Sequence, residues 1–218
     1  MGIQSPSSVV VIQPRHFRPN PDTAKDNHFQ QESTGVSPSE VAERAYLESV
    51  EIAKVLSEHG VRVHAFEDER DDRPDSVFPN NWFSTHAGGH LAIYPMYAPS
   101  RRIERHSDVI EMLKECYGVQ EVFDFSGLEH DDIFLEGTGA MVLDHVARLA
   151  YTCRSNRALS PLTAAQRASI EQFAQVVPID IPTIELAGGS VRCMLAGVHF
   201  EARPRIASGL LSREKEMV

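Results

Sequence analysis

Two periods of apolar residues divide this chain into strands and helices. Residues 8–13, Ser8-Val9-Val10-Val11-Ile12-Gln13, form a short valine-rich run with the length and composition of a buried strand, and Pro14 ends it. Residues 15–35 are polar and carry Pro19, Asn20, Pro21 and Asp22. That is too long for a simple turn, and loops of this length are often functional or disordered. Its Arg15, His16 and Arg18 suit either an anionic substrate group or a solvated loop. The period then becomes helical. Ser37-Pro38-Ser39-Glu40 supplies a Ser cap, a Pro at the first helical position and the Glu of a capping box. Val41, Ala45, Ile52, Val55 and Leu56 keep the helical spacing through His59, and Gly60 is the stop. Residues 61–66 alternate as a strand. Strand, loop, helix and strand in this order predict an α/β unit.

The pattern then repeats in shorter pieces. A charged loop over 67–74 precedes Asp75-Ser76-Val77-Phe78-Pro79-Asn80-Asn81-Trp82-Phe83-Ser84, in which two amides stand before the only tryptophan. Asn80-Asn81 suits a turn, but the apolar residues on both sides favour a strand end facing a pocket, where buried amides need partners. Ala87-Gly88-Gly89-His90 predicts a hairpin into a strand over 91–96. Val109, Ile110, Leu113 and Cys116 fall on one face of a helix over 107–117, which places Cys116 in the core, and a strand over 119–125 follows. A hairpin at 144–145 leads to residues 147–153. Beyond a loop at 155–157, Leu162 opens a helix to about residue 174, and 176–181 reads as a strand. Residues 1–7 and 204–218 read as flexible ends.

With 218 residues, 42% of them hydrophobic and 24% charged, the chain has an ordinary globular balance. Its net charge of -10 argues against nucleic acid and anionic membranes as partners. Val9-Val10-Val11-Ile12 is too short for a signal-peptide core or a membrane span, and Pro6 stands where a myristoylation motif needs Ser or Thr. The three cysteines, Cys116, Cys153 and Cys193, are odd in number and lack ligand spacing. A reduced, cytoplasmic context and no metal or organic cofactor are expected.

Three stretches carry candidate chemistry. In Ile184-Glu185-Leu186-Ala187-Gly188-Gly189-Ser190-Val191-Arg192-Cys193-Met194-Leu195, two glycines permit a sharp turn, and an adjacent arginine can stabilise a thiolate. Cys193 is therefore either a reactive cysteine at a turn or a buried cysteine in a core strand. In Phe134-Leu135-Glu136-Gly137-Thr138-Gly139, Glu136 lies between an apolar segment and a Gly-Thr-Gly turn that has no phosphate-loop Lys-Ser/Thr after it. A buried carboxylate needs a cation, either a ligand or an internal arginine such as Arg148 or Arg192. Arg101, Arg102 and Arg105 suit a substrate carboxylate or, by default, the surface.

Together with the Asp75 to Trp82 stretch, these motifs stand in the order seen in the amidinotransferase (pentein) superfamily. The chain most resembles its citrulline-utilisation hydrolases, relatives of arginine deiminase and dimethylarginine dimethylaminohydrolase. The resemblance covers most of residues 8–200. It implies an α/β propeller, a ring of five ββαβ-type modules around a polar channel. It also implies a hydrolase of a guanidino or ureido amino acid, with Cys193 as the nucleophile and Glu136 as a substrate-binding carboxylate. Where relatives place an acidic residue near the second motif, this chain has Asn80-Asn81, with Asp75 a few residues earlier. Amides suit a neutral ureido group better than a guanidinium, which favours citrulline over arginine.

The family's histidine has no match here. His145 is the only histidine between Glu136 and Cys193, and it sits at the hairpin after Asp144. The break falls near 154–161, so residues 8–203 read as one incomplete domain of about three modules. His199 or His130 is then the substitute acid-base group. The competing readings are an inactive family member that at most binds ligand or another chain, and an unrelated α/β protein with a structural Cys193. The implied partner is a small guanidino or ureido amino acid, and homo-oligomerisation is left open.

Overall fold

Strand β1 (Ser8–Pro14) is buried on both faces. Successive strand side chains point to opposite sides. Val9 and Val11 join a core with Phe17, Val41, Ala45 and Ile52, while Val10 and Ile12 join a second core with Trp82, Leu91, Val109 and Leu113. That double burial is why the run lacks polar alternation. The computed structural model describes residues 5–24, 30, 35–144, 146, 149–152, 180–188 and 191–203.

Two strands flank β1. Strand β2 (Arg62–Asp68) pairs with it in parallel, from Ser8↔Arg62 to Pro14↔Asp68, and β8 (Ala196–Gly197) pairs antiparallel at Val9 and Val10. The parallel pair needs a crossover, and helix α1 (Pro38–Glu58) provides it. Ser37 caps α1 as expected, its Oγ accepting the Glu40 N–H at 3.2 Å. The carboxylate of Glu40 pairs with Arg44 rather than reaching back to the cap. Strand β2 runs two residues past the expected end because Glu67 and Asp68 still pair with Gln13 and Pro14.

The second sheet repeats the plan. Strands β3 (Phe83–His86) and β4 (His90–Ile93) form the predicted hairpin, with Gly88 and Gly89 at φ +92° and +82°. Helices α2 (Pro99–Arg102) and α3 (Ser107–Cys116) then lead to β5 (Glu121–Asp124), which is parallel to β4. Cys116 is exposed, contrary to the core placement. Val109 and Leu113 carry the buried face of α3, and Tyr117 takes over as the chain leaves the helix. In both units an antiparallel strand, a central strand, a helix and a parallel strand make a ββαβ module, the first completed by β8 from far along the chain. Helical turn α4 (Gly137–Ala140) precedes a hairpin of β6 (Met141–Asp144) and β7 (Leu149–Thr152). A last helical turn, α5 (Val191–Met194), precedes β8.

Among the described residues the chain is thus a mixed α/β structure of two modules and a hairpin, an incomplete propeller. The helix expected from Leu162, and the candidates His145, Arg148 and Cys153, lie outside the described residues. So does the strand expected over 176–181, except Asp180 and Ile181, which are not in a strand. Among the described residues no helix is long and apolar enough to cross a membrane.

Candidate active site

The Asn80-Asn81 pair is not a strand end. Pro79–Asn81 forms a buried 3₁₀ turn just before β3, set by the fixed backbone of Pro79. The amides stay inside because the turn is covered from two sides. Helical turn α4, directly after Glu136, and α5, which carries Cys193, both pack against it. The three motifs recognised in the sequence therefore meet here.

Thr138 of α4 fixes the first amide. Asn80 Nδ2 donates to Thr138 Oγ1 at 2.6 Å, and Thr138 Oγ1 donates to the Asn80 carbonyl at 3.2 Å. With its N–H group engaged, Asn80 presents Oδ1 as an acceptor. The Oδ1 atoms of Asn80 and Asn81 are buried and have no hydrogen-bond partner among the described residues. Buried polar atoms are almost always paired, so two orphaned acceptors on one turn mark a place where a ligand N–H fits.

Gly137 makes this contact feasible. Its φ is +29°, and an added Cβ would stand 2.5 Å from the Asn80 carbonyl oxygen and 2.9 Å from that of Asn81. Gly137→Ala is expected to push α4 off the turn and to destabilise the chain by about 1–3 kcal/mol, lowering Tm by roughly 3–10 °C. Gly127→Ala, with no atom within 4 Å of the new Cβ, is the matched control and leaves Tm unchanged in thermal unfolding.

Glu136 finds a cation in Arg101. Arg101 Nη1 donates to Glu136 Oε2 at 2.8 Å, and the Tyr97 N–H donates to Oε1 at 3.1 Å. Arg101 is 5% exposed, so the surface assignment is wrong for it. Its Nε and Nη2 both donate to Glu104 Oε2 at 3.3 Å, and Nε lies 3.7 Å from Asp75 Oδ2. Asn20 Nδ2 completes the cluster with a 2.8 Å bond to Asp75. Asp75 and Glu136 are thus joined through Arg101, and three carboxylates share one guanidinium.

That imbalance decides the protonation. Burial pushes the Glu104 carboxyl up to about 8, with Arg101 pulling partly back. Burial also raises Asp75, opposed by Arg101 and the Asn20 bond. Burial alone would favour a neutral Arg101, but the three carboxylates outweigh it and hold the guanidinium charged. The sequence offered Arg101 only for a substrate carboxylate or the surface, and gave Glu104, Asn20 and Thr138 no role of their own. The three-residue spacing of Arg101 and Glu104 is the one local hint, and it is equally common on exposed helices.

Cys193 sits in a helical turn rather than in a core strand. It is half-buried against the first core. The approach to it is held by Glu48 of α1, whose carboxylate accepts the Thr183 and Ile184 N–H groups at 2.9 Å each. These begin the 3₁₀ turn Ile184–Ala187, which Gly188 ends at φ +78°. The side chain of Arg192 lies outside the described residues. Of the two candidate substitute histidines, His130 is exposed on the 3₁₀ turn Ser126–Asp131, while His199 is half-buried just after β8 and donates its backbone N–H to Thr85 Oγ1 at 2.7 Å. Arg15 is engaged by Glu67 and lies 3.6 Å over the Tyr46 ring.

The chain is similar to several solved structures and to one family profile. Among solved structures, the N-terminal domain of ArgZ, described as an arginine dihydrolase from the ornithine-ammonia cycle in cyanobacteria, is 18% identical with a TM-score of 0.49, over 66% of this chain and 47% of that one. A dimethylarginine dimethylaminohydrolase bearing an S-methyl-L-thiocitrulline adduct is 16% identical with a TM-score of 0.45, over 88% of this chain and 59% of that one. Unliganded AgrE is 19% identical with a TM-score of 0.46, over 66% of this chain and 19% of that one. The chain spans less than two thirds of the length of each. No curated protein matches it. The profile of the family described as N,N dimethylarginine dimethylhydrolase, eukaryotic, matches residues 13–160 and 155–200. Matched over most of its length, the chain belongs to that family, within the amidinotransferase (pentein) superfamily.

Proposed function

We propose that this chain hydrolyses a C–N bond of a guanidino or ureido amino acid, with Cys193 as the nucleophile and Asn80, Asn81, Asp75 and Glu136 on the substrate side. The observation that carries the reading is the convergence of α4 and α5 on the buried turn with two orphaned amide oxygens. In this reaction the Cys193 thiolate bonds to the central carbon of the substrate. The C–N bond to the leaving amine breaks, and the amine departs with the proton that the Cys193 thiol gave up. Water then cleaves the C–S bond and returns the thiol. Neutral amide acceptors offer no charge to a guanidinium, so a neutral ureido group such as that of citrulline suits the turn better. The carboxylates Asp75 and Glu136 are already shared with Arg101. We place the missing modules at 154–161, close to where the two matched stretches meet.

The test is amine release by the purified chain with citrulline, arginine and dimethylarginine in parallel. Turnover is expected with citrulline, and Cys193→Ala is expected to lower it by about a thousand-fold or more. A folded parent that releases nothing above the blank with any of the three would overturn the reading and leave a ligand-binding or inactive chain.

A further inference from the structure

Among the described residues, β5 is the last strand of its sheet, with no strand on its outer edge, and its surface is apolar. Val122, Phe123, Phe125, Leu128 and Ile133 are each between 37% and 52% exposed. Phe123 and Phe125 form a strip on one face of β5, continued along the chain by Leu128 and Ile133, and Val122 faces the other side. The rings of Phe123 and Phe125 stack with centroids 6.4 Å apart, the Leu128 N–H bonds the Phe125 carbonyl, and the Ile133 N–H bonds the Leu128 carbonyl. On the inner side of β5 the N–H groups of Glu121 and Phe125 bond the Gly89 and Ile93 carbonyls of the β3–β4 hairpin. By the two-residue strand period, Val122 and Asp124 turn their backbone N–H and C=O groups outward. Native sheets protect such edges, so an apolar open strand is a template for another strand.

Charge selects the occupant. Glu121, Asp124, Asp131 and Asp132 are all exposed around the strip, and none has an ion-pair partner among the described residues. Two copies of this face would bring these carboxylates together, in a chain that already carries a net charge of -10. An extended segment with apolar side chains flanked by Lys or Arg would pair its backbone with Val122 and Asp124, cover the strip and neutralise the rim. We infer that β5 is a docking edge for an extended, basic, apolar segment of another protein, which adds as a strand.

The probe is a short fluorescein-labelled peptide of alternating lysine and valine, titrated with the full chain and followed by anisotropy. Saturable binding is expected, weakened roughly tenfold or more from low to high salt. Val122→Pro is expected to weaken it at least about tenfold without moving the unfolding midpoint, because the lost N–H points away from β4. Reversing the rim with Glu121→Lys and Asp124→Lys should shift preference to an alternating glutamate and valine peptide. Lack of saturable binding by the lysine peptide, or binding untouched by Val122→Pro, overturns the inference. So does concentration-dependent dimerisation that Val122→Pro abolishes and the peptide cannot displace, which would make a second copy the occupant.

Discussion

Arg101→Met is expected to destabilise the chain by about 3–5 kcal/mol, because it strands buried carboxylates without their cation. A domain of this kind is stable by only about 5–15 kcal/mol, so the urea midpoint should fall by about a fifth or more of its value. The size follows from the geometry. Glu104 is fully buried, Asp75 nearly so, and both rely on the same guanidinium as Glu136. Methionine fills similar volume, so the loss reads out charge rather than a cavity. Adding Asp75→Asn to Arg101→Met should recover part of the loss, since one of the buried carboxylates that lean on Arg101 is then neutral. A single variant that unfolds with the parent would show that the cluster does not hold these side chains together. The double variant separates this from a packing defect, because a packing defect would not respond to Asp75→Asn.

The second large effect is on pH. The Glu104 carboxyl keeps its proton to about 8 in the folded chain and releases it near its ordinary 4.5 when unfolded. Between those values the folded state binds more protons than the unfolded state. Stability therefore falls as pH rises through this window, by up to about 1.4 kcal/mol per pH unit for one proton. Burial acts on Asp75 in the same direction. Asp68 and Glu129 are displaced the other way, by hydrogen bonds that include His106 and Arg105 against the pull of burial, and so act only at lower pH. Thermal unfolding of the parent should show Tm declining from pH 5 to pH 8, and Glu104→Gln should flatten the decline and unfold later than the parent at pH 8. A parent curve that is flat or rising over that range would reject the raised carboxyl. An undiminished slope in Glu104→Gln would assign the proton to Asp75 instead.

The elements that could be read from the sequence were those whose signal is local. The Ser37 cap, the Gly88-Gly89 hairpin and the doubly buried β1 each follow from a few adjacent residues and were placed within a residue or two. Elements whose character depends on distant partners were misplaced. Arg101 looks like any basic residue in a Pro-Ser-Arg-Arg run until the fold surrounds it with Asp75 and Glu136. Asn80 and Asn81 resembled a strand end because their apolar neighbours conceal that α4 and α5 cover a turn. Cys116 kept the helical period, yet as the last residue of α3 it is exposed, and Tyr117 beyond the helix takes the core position. The candidate site was legible as three motifs, but not as one site, because their meeting place is a 3₁₀ turn that carries none of the proposed covalent chemistry.

One consequence lies in the order of synthesis. Strand β1 pairs on one side with β2, made soon after it, and on the other with β8, almost the whole chain later. At roughly 5–20 residues per second, a ribosome leaves that second edge of β1 bare for about 10–40 s. Val198 and His199, which dock on Ser8 and Thr85, arrive in the same late stretch as Cys193. The half-built chain therefore carries a valine-rich template for wrong pairing throughout its translation, and the cysteine turn takes its place only when the last strand closes the first sheet.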